Sequence, residues 1–249
     1  QGAEKALTLS SATARRMLKG MNADVSEHNA KRVLAEYGIP VTREALAKSR
    51  DEALEAARAI GYPVAIKVQS PDISHKTEAR ALRLDIASGD ELASAYEEVL
   101  ANARAYKKGA RIDGVLVQEM MTDGIEAILG VTNDPLFGPA VMFGLGGIFA
   151  EVLKDVSFRL APVTASVARE MVEEISGYPV LAGARGRPRA DVDALVGAIT
   201  RVSALAIDLK DCISELDVNP LFVFPAGRGV KAADALIRPK TVEEKIRQD

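Results

Sequence analysis

Apolar residues recur at helical spacing in several segments whose ends carry recognisable signals. Ser26 is a suitable N-cap and Gly38 a stop for the first helix, and Ser88 with Glu91 forms a capping-box pattern before a longer one. This spacing predicts helices at about 27–37, 51–60, 89–107, 165–176 and 191–208.

Strand patterns alternate with these helices, but without a strict βαβ rhythm. The alternation of Leu82, Leu84 and Ile86 predicts a strand with these three side chains on a shared face. The residues Met121 to Gly124 have turn chemistry and predict a hairpin that joins two apolar runs. The predicted strands are 63–68, 80–86, 115–120, 125–131, 139–143, 213–219 and 229–235. This order favours an α+β fold.

Composition narrows the function classes. The 249 residues suffice for one large α/β unit or two packed lobes, and the net charge of -3 gives no basic surface for nucleic acid. The sequence contains no run of about 18 apolar residues, the length that a membrane-spanning helix needs. The single cysteine, Cys212, cannot form an intrachain disulfide, which suits a reducing cytoplasm. We therefore expect a cytoplasmic protein without a nucleic-acid or membrane partner.

The last predicted hairpin carries the most informative polar pattern. Strand periodicity places Glu215, Asp217 and Asn219 on one face, and a turn centred near Gly227 places Asn219 opposite Asp234. Converging carboxylate and amide oxygens suit Mg²⁺, which also takes phosphate oxygens from a nucleotide. A solvated acidic strand face is the alternative.

A lysine also interrupts an apolar strand. Lys67 lies in PVAIKV, where its neighbours are apolar, and a strand lysine aimed at a cleft supplies a point charge for phosphate. The alternative is an edge-strand lysine that reaches water.

The predicted hairpin over 115–131 suggests another site. Its turn places Glu119 opposite Glu126, and such facing carboxylates are easier to accommodate when one of them binds a ligand donor. Backbone groups from Gln118 to Met120 would then read a base. A shift of one residue in register removes this argument.

Two loop features have weaker signals. Gly144-Leu-Gly-Gly147 follows an apolar strand and forms either an anion-binding nest or a simple turn; it matches neither a dinucleotide fingerprint nor a Walker loop. His75 lies among hydroxyl and acidic residues that can orient an imidazole. An exposed loop histidine is the alternative.

Several segments together resemble the ATP-grasp domain of ADP-forming acyl-CoA synthetases, relatives of the succinyl-CoA synthetase β subunit. The similarity runs from about Ser26 to Arg238. It is carried by SEHNAKRVLAEYGIPV, GYPVAIKVQSPDISHKTE, VLVQEMMTDGIEAILGVTNDPLFGPAVMFGLGGIFAEVLKDVSFRLAP, GRPRADVDAL and ELDVNPLFVFP. The resemblance implies two α+β lobes enclosing a nucleotide cleft, with a lead-in at 1–25, lobes at 26–117 and 118–238, and a tail at 239–249.

The resemblance also implies roles for individual residues. Lys67 would contact the phosphates of ATP, Asn219 and Asp234 would bind Mg²⁺, and His75 would carry phosphate in a relay, with Asp217 as the acid near it. Nucleotide contacts would come from Gln118, Glu119, Met120 and Glu126. The implied reaction converts a carboxylate, CoA and ATP into acyl-CoA, ADP and phosphate, and needs a CoA-binding α-type subunit or fused domain.

The histidine loop departs from the family pattern. Members usually continue it as H-K-[ST]-D-V-G-G-V, whereas this chain has Arg80 and Ala81 in place of both glycines. The added β-carbons restrict close approach of the backbone to phosphate. Two alternatives therefore stay open: a nucleotide-sensing module without turnover, and an ATP-grasp ligase that works without phosphohistidine.

Overall fold

The computed structural model describes residues 11–20, 24–73, 76–147 and 154–241. The chain forms two compact units. The larger unit consists of Gln1–Val41 and Asp123–Asp249, and the smaller unit consists of Thr42–Thr122. No helix within the described ranges is long and apolar enough to cross a membrane.

The larger unit begins with two helices and then contains most of the strands. Its elements are α1 (residues 11–18) and α2 (Glu27–Glu36), followed after the smaller unit by β5 (Ile125–Asp134), β6 (Gly138–Leu145), β7 (Val156–Leu160), α5 (Ala165–Glu174), α6 (Tyr178–Leu181), a 3₁₀ turn (Ala184–Gly186), α7 (Val192–Asp208), β8 (Ile213–Val223), β9 (Val230–Ala232) and β10 (Ala235–Pro239). The strand order is β10-β8-β5-β6-β7, and β9 pairs with β8. All of these pairs are antiparallel.

The smaller unit packs two helices against a four-stranded sheet. Its elements are β1 (Glu44–Ala47), α3 (Arg50–Ile60), β2 (Val64–Gln69), β3 (Leu82–Ile86), α4 (Gly89–Tyr106) and β4 (Gly114–Glu119). The strand order is β1-β4-β2-β3, so β2 and β4 are internal. The buried apolar residues of this unit form a core of their own. Two α+β units agree with the predicted fold class.

The predicted helices are confirmed, with ends within a few residues. In α4 the hydroxyl oxygen of Ser88 accepts the N–H of Glu91 at 3.3 Å, and the Glu91 carboxylate accepts the N–H of Ala87 at 2.8 Å. The Ser88 bond is the predicted N-cap, whereas the Glu91 side chain reaches the N–H of Ala87, one residue before the N-cap, instead of the Ser88 N–H that a complete capping box uses. Gly38 follows α2 with a φ of 71°, which suits the residue after a helix end.

The predicted hairpin over 115–131 is wrong. β4 pairs with β1 and β2 in the smaller unit, whereas β5 pairs with β6 and β8 in the larger unit. Glu119 therefore does not face Glu126: the register places Glu119 beside Val64 and Glu126 beside Phe222. Turn chemistry between two apolar runs cannot distinguish a hairpin from a crossing between two units, because both need the same residues.

The boundaries of the units also differ from the predicted lobes. Residues 26–41 belong to the larger unit, and the change between units falls after Thr122 instead of after residue 117. Part of the predicted lead-in is the helix α1, which places Ala14 and Leu18 in the core of the larger unit. The predicted tail starts at Pro239, which is still part of β10.

Leu84 is the exception in the predicted apolar face of β3. Its exposed fraction is 52%, whereas Ile86 is buried. Asp85 lies between them with a φ of 55°, and the register with β2 shifts in this region. Such a bulge interrupts the alternation of faces that simple periodicity assumes. The strand β7 was not predicted at all.

Asp191 stabilises the turn that follows β8 through hydrogen bonds. Its carboxylate accepts the N–H groups of Gly227 at 2.9 Å and Gly229 at 2.8 Å, as well as that of Ala194 at the start of α7. Partial burial alone would raise the pKa of Asp191, but these backbone donors together lower it. One side chain thus joins the helix to the turn that sets the register of β8 and β9.

Candidate functional site

Lys67 lies in the middle of the smaller unit's sheet. All six residues of β2 are buried, and Lys67 is 7% exposed. The strand pairs with both β3 and β4. The edge-strand alternative is therefore wrong, because an internal strand offers no free sheet edge to its lysine.

The face of β2 that carries Lys67 is polar. Val64, Ile66 and Val68 belong to the core beneath the helices. Strand alternation then places Lys67 and Gln69 on the opposite face, where the register also brings Gln118 of β4, opposite Ala65. Three polar side chains are costly to bury against apolar groups. A polar ligand could form hydrogen bonds with them, so this sheet face suits such a ligand.

Gln69 gives a direct sign that this face fits a ligand. Its side chain is 2% exposed, and its Nε2 donates to no acceptor among the described residues. A buried donor without a partner costs about 1–3 kcal/mol. Phosphate or ribose oxygens would supply the acceptor that Nε2 lacks.

The residues predicted to contact the base lie at the end of β4 and immediately after it. The N–H of Glu119 donates to the Arg43 carbonyl at 3.0 Å, and that of Met120 to the Pro63 carbonyl at 3.4 Å. The Glu119 carboxylate accepts from the Arg43 backbone N–H at 2.7 Å and from Arg43 Nε at 2.9 Å. Glu119 is buried and positioned by Arg43, and its facing partner is not Glu126.

The larger unit presents the predicted polar face of β8. Glu215, Asp217 and Asn219 are exposed, whereas Leu216 and Val218 are buried. This alternation confirms the predicted face. It also leaves three oxygen-bearing side chains in a row on one side of a central strand.

Asn219 and Asp234 are brought together by strand register. β8 pairs Leu221 with Ala232 of β9 and Val218 with Ala235 of β10, so Asn219 and Asp234 face each other in the same register. The Asn219 N–H donates to the Asp234 carbonyl at 3.2 Å. The predicted pairing is confirmed.

Negative charge accumulates beside this pair. Asp217 is exposed as a residue, but neighbouring atoms displace water from part of its carboxyl; this desolvation, and then the charges of Asp234 and Glu215, raise the pKa of that carboxyl above its usual range. A divalent cation would relieve this repulsion. Within the described ranges, no group of three or more His, Cys, Asp or Glu side chains could hold a metal ion. A carboxylate and an amide completed by nucleotide phosphates remain a donor set that suits Mg²⁺.

Glu126 and the glycine turn lie against each other in the larger unit. The Glu126 side chain is exposed, and its carbonyl accepts the N–H of Gly146 at 2.8 Å. A β-carbon on Gly146 would lie 3.0 Å from the Glu126 Cβ, so glycine permits this close approach. Since the Gly146 N–H is used within the protein, this turn matches the simple-turn alternative more closely than an anion nest.

His75 lies outside the described residues, but the end of its loop is described. Arg80 has a φ of 48°, a left-handed conformation that favours glycine, and its neighbour Ala81 is fully buried. The Ala81 carbonyl accepts the N–H of Val68 at 2.9 Å. The backbone at Arg80 thus keeps the shape of a glycine position although the residue has changed.

A buried ion pair in α2 was not predicted. Glu27 is 3% exposed and Lys31 is 1% exposed, and their Oε1 and Nζ atoms lie 3.0 Å apart. Lys31 Nζ also donates to the Ala233 carbonyl at 3.1 Å. The four-residue spacing of Glu27 and Lys31 was the available signal. Helix periodicity alone does not reveal that this pair is buried beside Asp234.

Known proteins are similar to this chain over most of its length. A family model described as an ATP-grasp domain matches residues 16–238. The β subunit of ADP-forming acetate–CoA ligase II of Pyrococcus furiosus is 53% identical over 211 residues, which cover 85% of this chain and 89% of that protein. The ADP-forming 4-hydroxybutyrate–CoA ligase of Nitrosopumilus maritimus is 41% identical over 88% of this chain but only 31% of its own length.

A solved structure is also similar. It is a dinucleotide-forming acetyl-coenzyme A synthetase of Ca. Korarchaeum cryptofilum, in complex with coenzyme A and Mg-AMPPCP, with its phosphohistidine segment pointing towards the nucleotide-binding site. It superposes with a TM-score of 0.79 at 36% identity, covering 91% of this chain and all of that chain.

The chain therefore belongs to the ATP-grasp family. Within that family it is of the β-subunit type found in ADP-forming acyl-CoA ligases.

Proposed function

We propose that this chain binds Mg-ATP and is the ATP-binding part of an ADP-forming acyl-CoA synthetase. The reaction converts a carboxylate, CoA and ATP into acyl-CoA, ADP and phosphate. The observation that carries the proposal is the register that brings Asn219 to Asp234 on the polar face of β8. The two related ligases differ in the acid that they activate, so the proposal covers carboxylates as a class.

The residues proposed to contact the nucleotide are those predicted from the sequence, with Gln69 added. Lys67 donates to the phosphates, Gln69 supplies a further donor, and the segment Gln118–Met120 borders the adenine. Asn219 and Asp234 hold Mg²⁺, and Glu126 contacts the nucleotide. When bound, the metal neutralises charge on the phosphates as the phosphoryl group is transferred.

We also propose that His75 carries the phosphoryl group. Its imidazole nitrogen forms a bond to the γ-phosphorus as the bond to the β-phosphate oxygen breaks, which releases ADP. The phosphoryl group then passes to the carboxylate, and the CoA thiol displaces phosphate from the acyl phosphate. Asp217 is the proposed acid of this step. The phosphohistidine segment named for the Korarchaeum protein supports this step.

A CoA-binding partner completes the proposed enzyme. The Pyrococcus relative is a β subunit, and the Nitrosopumilus ligase is about three times as long as the segment matched here. The nucleotide-sensing alternative has less support, since these relatives are named as ligases.

Calorimetry with ATP at graded Mg²⁺ concentrations tests the metal site. We expect Asp234→Asn to raise the Mg²⁺ requirement at least about tenfold, the smallest loss usually seen even for an outer partner of a metal ligand. Asp193→Asn removes an exposed carboxylate in the same unit and should change nothing. Equal Mg²⁺ requirements for wild type and Asp234→Asn would reject the site, and no ATP binding by the wild type would reject the function.

Radiolabelled γ-phosphate tests the relay. With ATP and the CoA-binding partner present, wild-type protein should retain acid-labile label and His75→Ala should not. A labelled His75→Ala variant would show that another residue carries the phosphate.

A further inference from the structure

Residues 25–41 contact the chain before and after the connection from β9 to β10 that carries Asp234. The N–H of Val25 donates to the Ile237 carbonyl at 2.8 Å, and the N–H of Ala232 donates to the Pro40 carbonyl at 2.8 Å. Val41 also forms a parallel bridge with Ala232. Backbone contacts therefore fix the chain on both sides of Asp234.

Lys31 contacts the chain between these two anchors. Ala233 and Asp234 connect β9 to β10, and Lys31 Nζ donates to the Ala233 carbonyl at 3.1 Å. That carbonyl belongs to the peptide group that precedes Asp234, so its orientation sets the direction in which the Asp234 side chain leaves the backbone. Glu27 holds Lys31 through its Oε1 at 3.0 Å.

The burial of this pair is hard to explain by stability alone. Both side chains are almost fully buried. Replacing a buried ion pair by apolar residues of similar volume is often neutral or stabilising, because the charges are no longer removed from water. Because a buried ion pair need not contribute to stability, the contact of this pair with the backbone beside Asp234 is better explained by an effect on Asp234.

We propose that Lys31, held by Glu27, is a positioning residue that orients Asp234 for the metal of the bound nucleotide. The inference rests on the proposed function, since it requires Asp234 to be a metal ligand. Lys31 acts through the Ala233 peptide and does not itself need to touch the nucleotide.

The double variant Glu27→Leu/Lys31→Met tests this role, because it removes both charges and keeps the buried volume nearly constant. We expect its midpoint in urea to equal or exceed that of the wild type. In calorimetry on the full chain, the Mg²⁺ concentration for half-maximal ATP binding should rise roughly tenfold or more. Binding of ATP without Mg²⁺ should be unchanged, which a general structural defect would not produce.

The matched control is Arg159→Met/Glu174→Leu, which removes an ion pair at 2.6 Å elsewhere in the larger unit. Its Mg²⁺ requirement should equal that of the wild type. If the first double variant does not fold, Glu27→Gln replaces it. This variant retains the volume and loses the charge that holds Lys31, so its Mg²⁺ requirement should rise less, but in the same direction.

The outcomes separate the two proposals. A folded Lys31 or Glu27 variant with the wild-type Mg²⁺ requirement overturns the positioning role while Asp234→Asn still reports on the metal site. Failure of both variants to fold also overturns it, because the pair would then be needed for folding. An unaffected Asp234→Asn overturns the proposed metal site itself.

Discussion

Replacing Lys67 by Met should weaken ATP binding without unfolding the chain. The side chain is 7% exposed in an internal strand, so a phosphate that it contacts is well shielded from water. A hydrogen bond to a charged group contributes about 1.5–3 kcal/mol. Since about 1.4 kcal/mol corresponds to a factor of ten, the Kd for Mg-ATP should rise roughly 10- to 150-fold.

Calorimetry measures this Kd, and urea unfolding establishes that the variant is folded. Lys48→Met is the matched control, because Lys48 is an exposed lysine of the same unit. Its Kd should stay at the wild-type value. A folded Lys67→Met variant that binds Mg-ATP as tightly as the wild type would refute the phosphate contact, and so would an equal loss in both variants.

Two further predictions concern stability. Asp191→Ala should lower the free energy of unfolding by about 1–3 kcal/mol at neutral pH, since it removes a helix cap and two turn contacts. Because the pKa of Asp191 is lowered from 3.8, its ionised form stabilises the fold above that pH, and the difference from wild type should shrink as pH falls through the folded pKa; a constant difference in urea titrations would contradict this. Gly114→Ala should cost about 2 kcal/mol or more, because the new Cβ would lie 2.7 Å from the Ala47 carbonyl oxygen. Gly109→Ala is the control, because Gly109 also has a positive φ but a new Cβ there would have no atom within 4 Å. If both variants lose the same free energy of unfolding in urea, the loss comes from the backbone conformation and not from the close contact.

Local patterns along the chain were enough to predict that Asn219 faces Asp234. Residues 215–219 alternate between polar and apolar, and the turn near Gly227 limits how β8 can pair with the chain that returns. Both signals span few residues, and here the strands on either side of the turn do pair with each other. The pairing of Asn219 with Asp234 therefore follows from the sequence, as do the capped helix ends.

The assignment of strands to units depended on the tertiary structure. β4 and β5 are joined by a few residues with turn chemistry, yet they lie in different sheets. Which partner a strand chooses depends on the total apolar surface that each sheet can bury, and that surface comes from residues far away in the chain. The sequence of a single segment therefore does not predict which strand it pairs with.

The same limit explains why Lys31 was missed. The sequence of α2 contains Glu27 and Lys31 at the spacing of an exposed helix pair. Their burial follows from the packing of residues 25–41 on the larger unit, where Lys31 reaches Ala233, about 200 positions later in the chain. The sequence by itself predicted that Asn219 and Asp234 face each other, because the turn between two neighbouring strands sets their register. Only the tertiary structure decided what supports them, because burial is set by contacts between distant segments.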